Sequence, residues 1–313
     1  MTEELSGSKT AGKIALAISA IYPFFIYYGS MMLSETPYLV LITLGFWQLC
    51  KNLDEEGKYF WRASGAGFAL ALAGLSRPEG AVIMIGIWAL LFLSQRNSRL
   101  LKSLAISFLC WGSILMSWSI RNRIETGSFA LDSHGGISLL HGTLLFDLNE
   151  QDTEVAMQYL RSTSLFAQAS HLSPHDQDKL YWKTAINFMV HHPKEVVHQW
   201  LRKSLNFWRF YPRTDKIYAE THFSQANLGL KRKKLVFLSL LFEPWIIIGG
   251  LWGFYFLLRE NWNTFYPIVF FIGGTFFVHM VSVSQMRYRL PIMPFLILGV
   301  ASLLSRRVQS EKR

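Results

Sequence analysis

The sequence predicts an all-α polytopic membrane protein with about eight transmembrane helices and an outer-face loop domain that carries amphipathic interfacial helices. Its composition is one reason: of 313 residues, 51% are hydrophobic and only 17% are charged, whereas soluble domains carry about 25% charged residues. A second reason is the presence of long apolar runs, such as 235–258, that match the thickness of a bilayer. The third is an uneven distribution of lysine and arginine among the loops.

The apolar segments divide the chain into three parts. Residues 1–120 are expected to hold transmembrane helices 1 to 5, residues 121–234 an extracytoplasmic loop domain, and residues 235–313 helices 6 to 8 and a cytoplasmic tail. Several segments are shorter than the ~20 residues of a spanning helix, so they would tilt, extend into their polar flanks or thin the bilayer. The segments are 13–33, 36–50, 62–76, 80–94, 103–120, 235–258, 264–283 and 288–305.

The basic residues predict the orientation. If both termini are cytoplasmic, the short outer turns hold only Arg77, Arg287 and Arg289, as the positive-inside rule requires. The basic run 231–234 is the exception. We therefore expect a multi-pass protein of a bacterial inner or cell membrane. The inner loops and tail hold Lys9, Lys13, Lys51, Lys58, Arg62, Arg96, Arg99, Lys102, Arg259, Arg306, Arg307, Lys312 and Arg313.

Several function classes find no support in the sequence. It contains no Walker loop, GxSxG or Rossmann fingerprint, which disfavours a nucleotide hydrolase or soluble hydrolase. No basic arm or aromatic-studded sheet pattern suggests nucleic acid. Cys50 and Cys110 lie in apolar segments, which argues against a disulfide framework.

No metal or cofactor is expected. A histidine cluster partly resembles a metal-binding face, but it lacks an HExxH or CxxC motif and Pro193 breaks its helical register. Surface or interfacial histidines are therefore the preferred interpretation. The cluster consists of His191, His192, Glu195 and His198.

The loop domain is expected to be mostly helical. Residues 127–142 are rich in glycine and predict a loop with one short strand, whereas 151–170 are weakly helical. Ser173-Pro174 is typical of a helix start, and this helix should run to His191. Pro193 starts another helix that should run to about residue 210, with apolar residues at 3.6-residue spacing. That helix suits the membrane interface, and the alternative is an ordinary helix packed on the loop domain. Its apolar residues are Val196, Val197, Trp200, Leu201, Leu205 and Trp208.

The charged residues nearest the outer boundary are the candidate site. Arginines at one membrane face can bind the phosphate or pyrophosphate of a lipid head group, because the guanidinium is permanently charged and binds bidentately. The alternative is that each arginine reaches the interface or pairs locally, Arg77 with Glu79 for example. The four arginines are Arg77, Arg121, Arg287 and Arg289.

Four further residues complete the candidate site. Glu35 could orient a sugar hydroxyl or an arginine, or be an ordinary acidic residue at a helix start. His279, near the outer end of the seventh segment, could donate a hydrogen bond to substrate. Asn122 would line, with Arg121, the route from the membrane to the outer loop, and Tyr288 would shape the phosphate pocket.

Four stretches resemble the polytopic GT-C glycosyltransferases of the family 39 type. That type includes protein O-mannosyltransferases and the bacterial aminoarabinose transferase of lipid A. The resemblance covers nearly the whole chain and is weakest between residues 145 and 194. It rests on the order and spacing of the motifs. The stretches are AIYPFFIYYGSMMLSETPYLVL, GAGFALALAGLSRPEGAVIM, MSWSIRNRIETGSFALDSHGGISLLHGT and QMRYRLPIMPFLIL.

The resemblance implies transfer of a sugar from a polyprenyl-phosphate donor to a lipid, glycan or protein acceptor at the outer face of the cell envelope. In that family an acidic residue of the first outer loop acts as general base, and arginines hold the lipid phosphate. This chain begins at what resembles the family's third or fourth helix. The acidic loop is therefore expected to be absent, which leaves the catalytic residue unknown and Glu35 as the remaining candidate.

Two other functions stay open. The chain could be a non-catalytic membrane protein, degenerate or dependent on a partner, that binds a lipid-linked sugar. A transporter or flippase would predict paired broken helices in two related halves, and the sequence shows no such symmetry.

Overall fold

A computed structural model describes residues 1–30, 33–56, 60–147, 153–211 and 228–310, with the backbone alone at 153, 228–233, 235 and 308–310. Lys58, Lys312 and Arg313, which contribute to the predicted orientation, lie outside these residues, as do the side chains of 231–233. The helices in chain order are α1 (Thr2–Ser6), α2 (Lys9–Ile21), α3 (Pro23–Gly29), α4 (Glu35–Asp54), α5 (Phe60–Ser76), α6 (Pro78–Ser94), α7 (Ser98–Thr126), α8 (Gly135–Gly142), α9 (Thr153–Arg161), α10 (Ser164–Ala169), α11 (Pro174–His191), α12 (Pro193–Phe207), α13 (Leu228–Glu260), α14 (Trp262–Val281), a 3₁₀ helix (Met286–Ile292) and α15 (Met293–Ser310).

The described part of the chain is 85% helical and contains no strand. The predicted all-α class is therefore confirmed, and the short strand expected within 127–142 is wrong because its second half forms α8. The glycines of α8 serve close packing instead of a turn. A Cβ at Gly136 would lie 2.2 Å from the Asp178 carbonyl oxygen, and one at Gly142 would lie 2.1 Å from the Ser282 carbonyl oxygen.

Several apolar helices are long enough to cross a bilayer, which is compatible with an α-helical membrane protein. Within the described residues these helices are Ser98–Thr126, Val236–Glu260, Trp262–Val281 and Met286–Arg307, and the pair α2 and α3, bent by 55°, would add a fifth span. The other predicted segments also lie on helices, namely α4, α5 and α6. However, α5 and α6 have only 17 residues each, so helix length does not confirm eight spans.

Proline sets two of the helix boundaries that matter for the site. Pro23 is the first residue of α3. Tyr22, directly before it, is both the C-cap of α2 and the N-cap of α3. Pro78 begins α6 in the same way, and Arg77 is extended at the cap position. Since proline favours the first helical turn and keeps the preceding residue out of the α region, Tyr22 and Arg77 are fixed at helix junctions.

The chain forms two compact units. The first comprises Met1–Ser117, Leu238–Thr275 and Arg289–Arg313, and the second comprises Trp118–Phe237 and Phe276–Tyr288. The second unit overlaps the segment 121–234 and also takes in 118–120, 235–237 and 276–288. It includes the last residues of the spanning helices α7 and α14.

Small residues allow close contact between helices of the first unit. A Cβ at Gly253 of α13 would lie 1.9 Å from the carbonyl oxygen of Gly299 in α15, so these backbones touch directly. Such close approach is a common way for membrane helices to associate, since lipid tails offer no hydrophobic driving force. Nearby, the rings of Phe46, Phe271 and Phe295 form one buried cluster.

The second unit has an apolar core of its own. The predicted start of α11 is confirmed, because the Ser173 hydroxyl accepts a hydrogen bond of 3.2 Å from the Asp176 N–H and Pro174 is the first residue. The helix ends at His191 as expected, and α12 begins at Pro193 but ends at Phe207. The core residues are Leu139, Leu140, Leu145, Ala156, Leu160, Ala169, Tyr181 and Ala185.

Candidate functional site

The residues predicted from sequence lie in four local groups. Glu35 and Arg77 form one group of the first unit, and Arg289 belongs to a second. His279, Arg287 and Tyr288 form a third group, in the second unit. The fourth, in the same unit, consists of Arg121 and Asn122.

In the first group, Arg77 binds two carboxylates. Its Nη1 lies 2.9 Å from Glu35 Oε1, and its Nε donates to Glu79. The alternative of local pairing with Glu79 is therefore realised, and Glu35 joins the pair from the first turn of α4. Only 13% of the Arg77 side chain and 6% of the Glu35 side chain are exposed. The cluster therefore joins two carboxylates from the starts of α4 and α6 through one guanidinium.

Glu35 also borders a small aromatic groove. The groove has a volume of about 50 Å³, and one water molecule needs about 10–15 Å³ of such space. It therefore has room for a hydroxyl group or a few water molecules. Its lining residues are Phe24, Phe25, Tyr28, Gly29, Glu35, Thr36, Leu39 and Leu290.

A buried phenol lies on the other side of the same cluster. Tyr38 is 2% exposed, and its hydroxyl meets no hydrogen-bond partner among the described residues. A Cβ at Gly80 would lie 2.6 Å from that hydroxyl oxygen, so the ring fits only because residue 80 is glycine.

The second group is a buried ion pair within apolar helices. Arg289 Nη2 lies 2.5 Å from Glu243 Oε2, and Tyr22 donates its hydroxyl proton to Glu243 Oε1. Arg289 is 1% exposed and Glu243 is fully buried. A lone charge at this depth is costly, whereas a paired and hydrogen-bonded one is tolerated. In this structure, then, Arg289 neutralises a carboxylate of the protein itself.

Sequence reasoning missed Glu243 and Tyr22. A detectable signal was present, since Glu243 is the one carboxylate inside the apolar run 235–258 and stands directly before Pro244. An ionisable residue within a membrane helix marks a buried partner or a functional site. Tyr22 could not be assigned in the same way, because tyrosine is common at membrane boundaries.

In the third group, rings and a guanidinium are stacked. The rings of His279 and Tyr288 are nearly parallel, with centroids 4.5 Å apart and an interplanar angle of 11°. The Arg287 guanidinium lies 5.2 Å from the Tyr288 ring centre, and its Nη2 is 3.4 Å from the Tyr288 hydroxyl oxygen. Phe207 of α12 stacks on His279 at 6.2 Å.

The histidine of this stack has a defined tautomer. His279 Nδ1 is 3.1 Å from the Val283 carbonyl oxygen. A carbonyl only accepts hydrogen bonds, so Nδ1 carries a proton and is the donor. His279 is 6% exposed and Arg287 is half-buried. The stack can therefore present a permanent positive charge, held by aromatic rings, where the spanning helix α14 ends and the next span begins.

The winding of the 3₁₀ helix separates Arg287 from Arg289. At about 3 residues per turn, residues two apart point in directions about 120° apart. In an extended strand they would lie on the same side. This geometry explains why Arg289 reaches Glu243 while Arg287 stacks on Tyr288.

In the fourth group, Asn122 stabilises a loop. Its Nδ2 donates to the carbonyl oxygens of Ala130 at 2.9 Å and Leu131 at 3.4 Å, and its Oδ1 accepts from Arg121 Nη1 at 3.2 Å. Arg121 itself is exposed, and its guanidinium lies 5.3 Å from the ring centre of Trp118. An arginine on an exposed tryptophan can meet a phosphate at the end of α7, whereas Asn122 fixes the turn that follows.

The described residues contain no group of three His, Cys, Asp or Glu side chains able to hold a metal ion. In the histidine cluster of the sequence, His191 Nδ1 lies 2.8 Å from the Asn187 carbonyl oxygen and His192 stacks on Phe188. Comparison with protein-family models gives no match, and no curated protein or solved structure resembles the chain at a significant level.

Proposed function

We propose that the protein is a membrane glycosyltransferase that moves a sugar from a polyprenyl-phosphate donor to a lipid, glycan or protein acceptor. The observation that carries this proposal is the stack of Arg287, Tyr288 and His279 where two apolar helices meet. A half-buried arginine at that depth suits a phosphate whose lipid tail stays in the bilayer. The family-like motifs, including the QMRYRLP stretch that contains Arg287, agree with the same chemistry.

In this proposal, Arg287 binds the lipid phosphate. Negative charge grows on this phosphate as the bond to the sugar breaks, and a fixed guanidinium stabilises that charge most in a site that excludes water. The Tyr288 ring packs against the guanidinium and keeps it in place, and the His279 ring stacks on Tyr288. Arg121, exposed at the end of α7, would meet the same lipid head group as it enters from the membrane.

Glu35 is the candidate for activation of the acceptor hydroxyl, and Arg77 is its positioning residue. A carboxylate assists attack by accepting the proton of the hydroxyl nucleophile. The groove beside Glu35 has room for such a hydroxyl group. Arg289 would have a structural role in the first unit, through its ion pair with Glu243.

One observation favours the second candidate function, a non-catalytic protein that binds a lipid-linked sugar. Glu35 and Glu79 are both engaged by Arg77. Carboxylate oxygens that accept hydrogen bonds from an arginine have fewer lone pairs with which to meet an acceptor hydroxyl. In this alternative the cationic stack binds the donor and the acidic cluster serves structure alone.

The finer topology belongs to the same proposal. All eight apolar segments would cross a bacterial inner membrane, both termini would be cytoplasmic, and α12 would lie at the outer interface. Single cysteines in a Cys50→Ala, Cys110→Ala background test this. An impermeant maleimide added to intact cells should label Gln168→Cys in α10 and leave Arg96→Cys, between α6 and α7, unlabelled. The reverse pattern would overturn the orientation.

A two-step assay tests the function. Binding of undecaprenyl phosphate to the purified chain in nanodiscs is measured first, and transfer from a radiolabelled undecaprenyl-phosphate sugar in total membranes second. Arg287→Gln should weaken binding about 10- to 150-fold, since a charge-assisted hydrogen bond contributes about 1.5–3 kcal/mol. Arg287→Lys should restore part of it, and Arg161→Gln, an exposed arginine of α9, is the matched control.

The outcomes separate the two candidates. Binding with transfer that is lost in Glu35→Gln supports the transferase. Binding without any transfer supports the non-catalytic protein. If the wild type does not bind undecaprenyl phosphate, or if Arg287→Gln binds as well as Arg161→Gln, both candidates are refuted.

A further inference from the structure

A short irregular stretch, residues 282–285, joins the end of α14 to the 3₁₀ helix and is called the linking segment below. Carbonyl groups in such a stretch lack the regular partners of a helix, so other groups must satisfy them where they are buried. The Val283 carbonyl oxygen accepts from His279 Nδ1 at 3.1 Å, and the Gln285 carbonyl oxygen accepts from the Tyr288 N–H at 3.1 Å. Two members of the stack are therefore bonded directly to the linking segment.

Helix α12 supplies further hydrogen bonds to the same place. Lys203 Nζ donates to the carbonyl oxygen of Val281, the last residue of α14, at 2.9 Å, and Asn206 Nδ2 donates to the Ser284 carbonyl oxygen at 2.6 Å. In return, the Ser284 hydroxyl donates to the Lys203 carbonyl oxygen at 2.9 Å. Lys203 and Ser284 are buried. Because buried polar groups are costly to leave without partners, these reciprocal bonds fix the linking segment to α12.

Helix α12 also contacts the stack itself. The buried Phe207 ring stacks on His279, with centroids 6.2 Å apart and an interplanar angle of 21°, and lies 5.5 Å from the Phe276 ring one turn earlier in α14. His279 stacks in turn on Tyr288, whose ring lies against the Arg287 guanidinium. A continuous series of ring contacts therefore runs from α12 to the guanidinium.

Helix α8 packs against the linking segment as well. A Cβ at Gly142 would lie 2.1 Å from the Ser282 carbonyl oxygen, so the two backbones touch. Gln199 of α12 donates its Nε2–H to the carbonyl oxygen of Thr143, the residue after α8, at 3.2 Å. Since close-packed contacts of this kind leave little space for displacement, α8 and α12 together hold the linking segment.

We propose that α12 is the positioning element of the stack of Arg287, Tyr288 and His279, and that Lys203 and Asn206 are its positioning residues. They hold the linking segment so that the stack keeps the guanidinium in one place. The inference rests on the proposed function in that it assigns this guanidinium to the lipid phosphate. A group that is ordered before its ligand arrives binds more tightly, because less conformational freedom is lost on binding.

Hydrogen exchange of the lipid-free chain in nanodiscs tests the positioning without any substrate. Lys203→Met removes the ammonium group, and Asn206→Leu removes the amide at similar volume. Both should speed exchange in peptides covering 282–288 about 5- to 10-fold and leave peptides covering α9 unchanged. Lys203→Arg keeps a donor and should retain the protection. Ser204→Ala is the matched control, because its hydroxyl bonds to the Trp200 carbonyl oxygen within α12.

A double-mutant cycle then tests the link to the phosphate. Lys203→Met and Asn206→Leu should each raise the Kd for undecaprenyl phosphate about 5- to 10-fold, the cost of ordering one long side chain on binding. In an Arg287→Gln background neither change should have a further effect, because a positioning residue acts only through the group that it positions. The same result for the neutral Asn206 excludes a direct effect of the Lys203 charge.

The outcomes distinguish this inference from the proposed function. Faster exchange in 282–288 without binding of undecaprenyl phosphate by the wild type would refute the proposed function and retain α12 as the element that positions the stack. Unchanged exchange in both variants would overturn the inference. So would effects on Kd that add to that of Arg287→Gln. Exchange that rises equally in α9, and that Lys203→Arg does not restore, would assign α12 to the folding of the second unit alone and overturn it too.

Discussion

Replacing Glu243 by glutamine should destabilise the first unit strongly. Glu243 is fully buried and Arg289 is 1% exposed, so the change leaves a guanidinium charge within the protein interior without its carboxylate partner. Removal of one member of a buried ion pair typically costs about 3–5 kcal/mol, most of it from the charge that remains. The hydrogen bond from Tyr22 would be weakened at the same time.

The measurement is the free energy of unfolding from titration with sodium dodecyl sulfate in mixed micelles. Tyr22→Phe is the companion variant. It keeps the ion pair and loses one hydrogen bond to a charged group, so it should lose about 1.5–3 kcal/mol. The decisive variant is the double change Glu243→Leu, Arg289→Met, which removes both charges and keeps an apolar volume.

Because apolar pairs replace buried ion pairs with little loss, the double variant should recover most of the stability lost in Glu243→Gln. The reasoning is refuted if Glu243→Gln unfolds like the wild type, or if the double variant is as unstable as the sum of its two single changes. The second result would mean that the two residues do not interact energetically.

Three further predictions concern packing, a helix cap and a surface ion pair. Gly253→Ala should lose about 1–3 kcal/mol in the same titration because its Cβ would meet a backbone oxygen 1.9 Å away; Gly273→Ala, whose Cβ meets nothing within 4 Å, is the control and should lose nothing. Ser173→Ala should lose about 1 kcal/mol and speed hydrogen exchange in the first turn of α11, and unchanged exchange would contradict the cap. A hydrogen bond from Arg62 holds the pKa of Glu55 below its usual range. The pair should therefore contribute up to about 1 kcal/mol to the free energy of unfolding at pH values above the unfolded-state pKa of Glu55. This contribution should be lost as the pH falls through the lower folded-state pKa. Arg62→Gln should reduce the fall in the free energy of unfolding at acid pH. An identical pH dependence in the variant and the wild type would refute this prediction.

The parts of the fold that sequence predicted well are those with a local cause. Within the described residues the apolar runs lie on helices, one of them on the broken pair α2 and α3, because a backbone in lipid must satisfy its own hydrogen bonds. The start of α11 follows from Ser173 and Pro174 alone. The error within 127–142 also has a physical cause. Glycine permits a turn and a close backbone contact equally well, and only the neighbours, Asp178 and Ser282, decide between them.

The parts that sequence could not supply are long-range pairings. Arg77, Arg289 and Glu35 were recognised as residues of interest, but the partners that define their chemistry stand elsewhere in the chain: Glu243 is 46 residues from Arg289, and Tyr22 is 221 residues from Glu243. Likewise, the spacing of apolar residues in α12 indicated an amphipathic helix without showing which face is inside. The contacts of Lys203 with the end of α14 supply that answer.

The order of residues in the buried ion pair bears on synthesis of the protein. Glu243 is synthesised before Arg289, which follows 46 residues later. At about 5–20 residues per second, the ribosome needs about 2–9 s to make that stretch. During this interval Tyr22 has already been made and Arg289 has not. Of these two partners of Glu243, only Tyr22 is then present. Tyr22 therefore completes the environment of Glu243 in two stages of synthesis, first as its earlier-made partner and then together with Arg289.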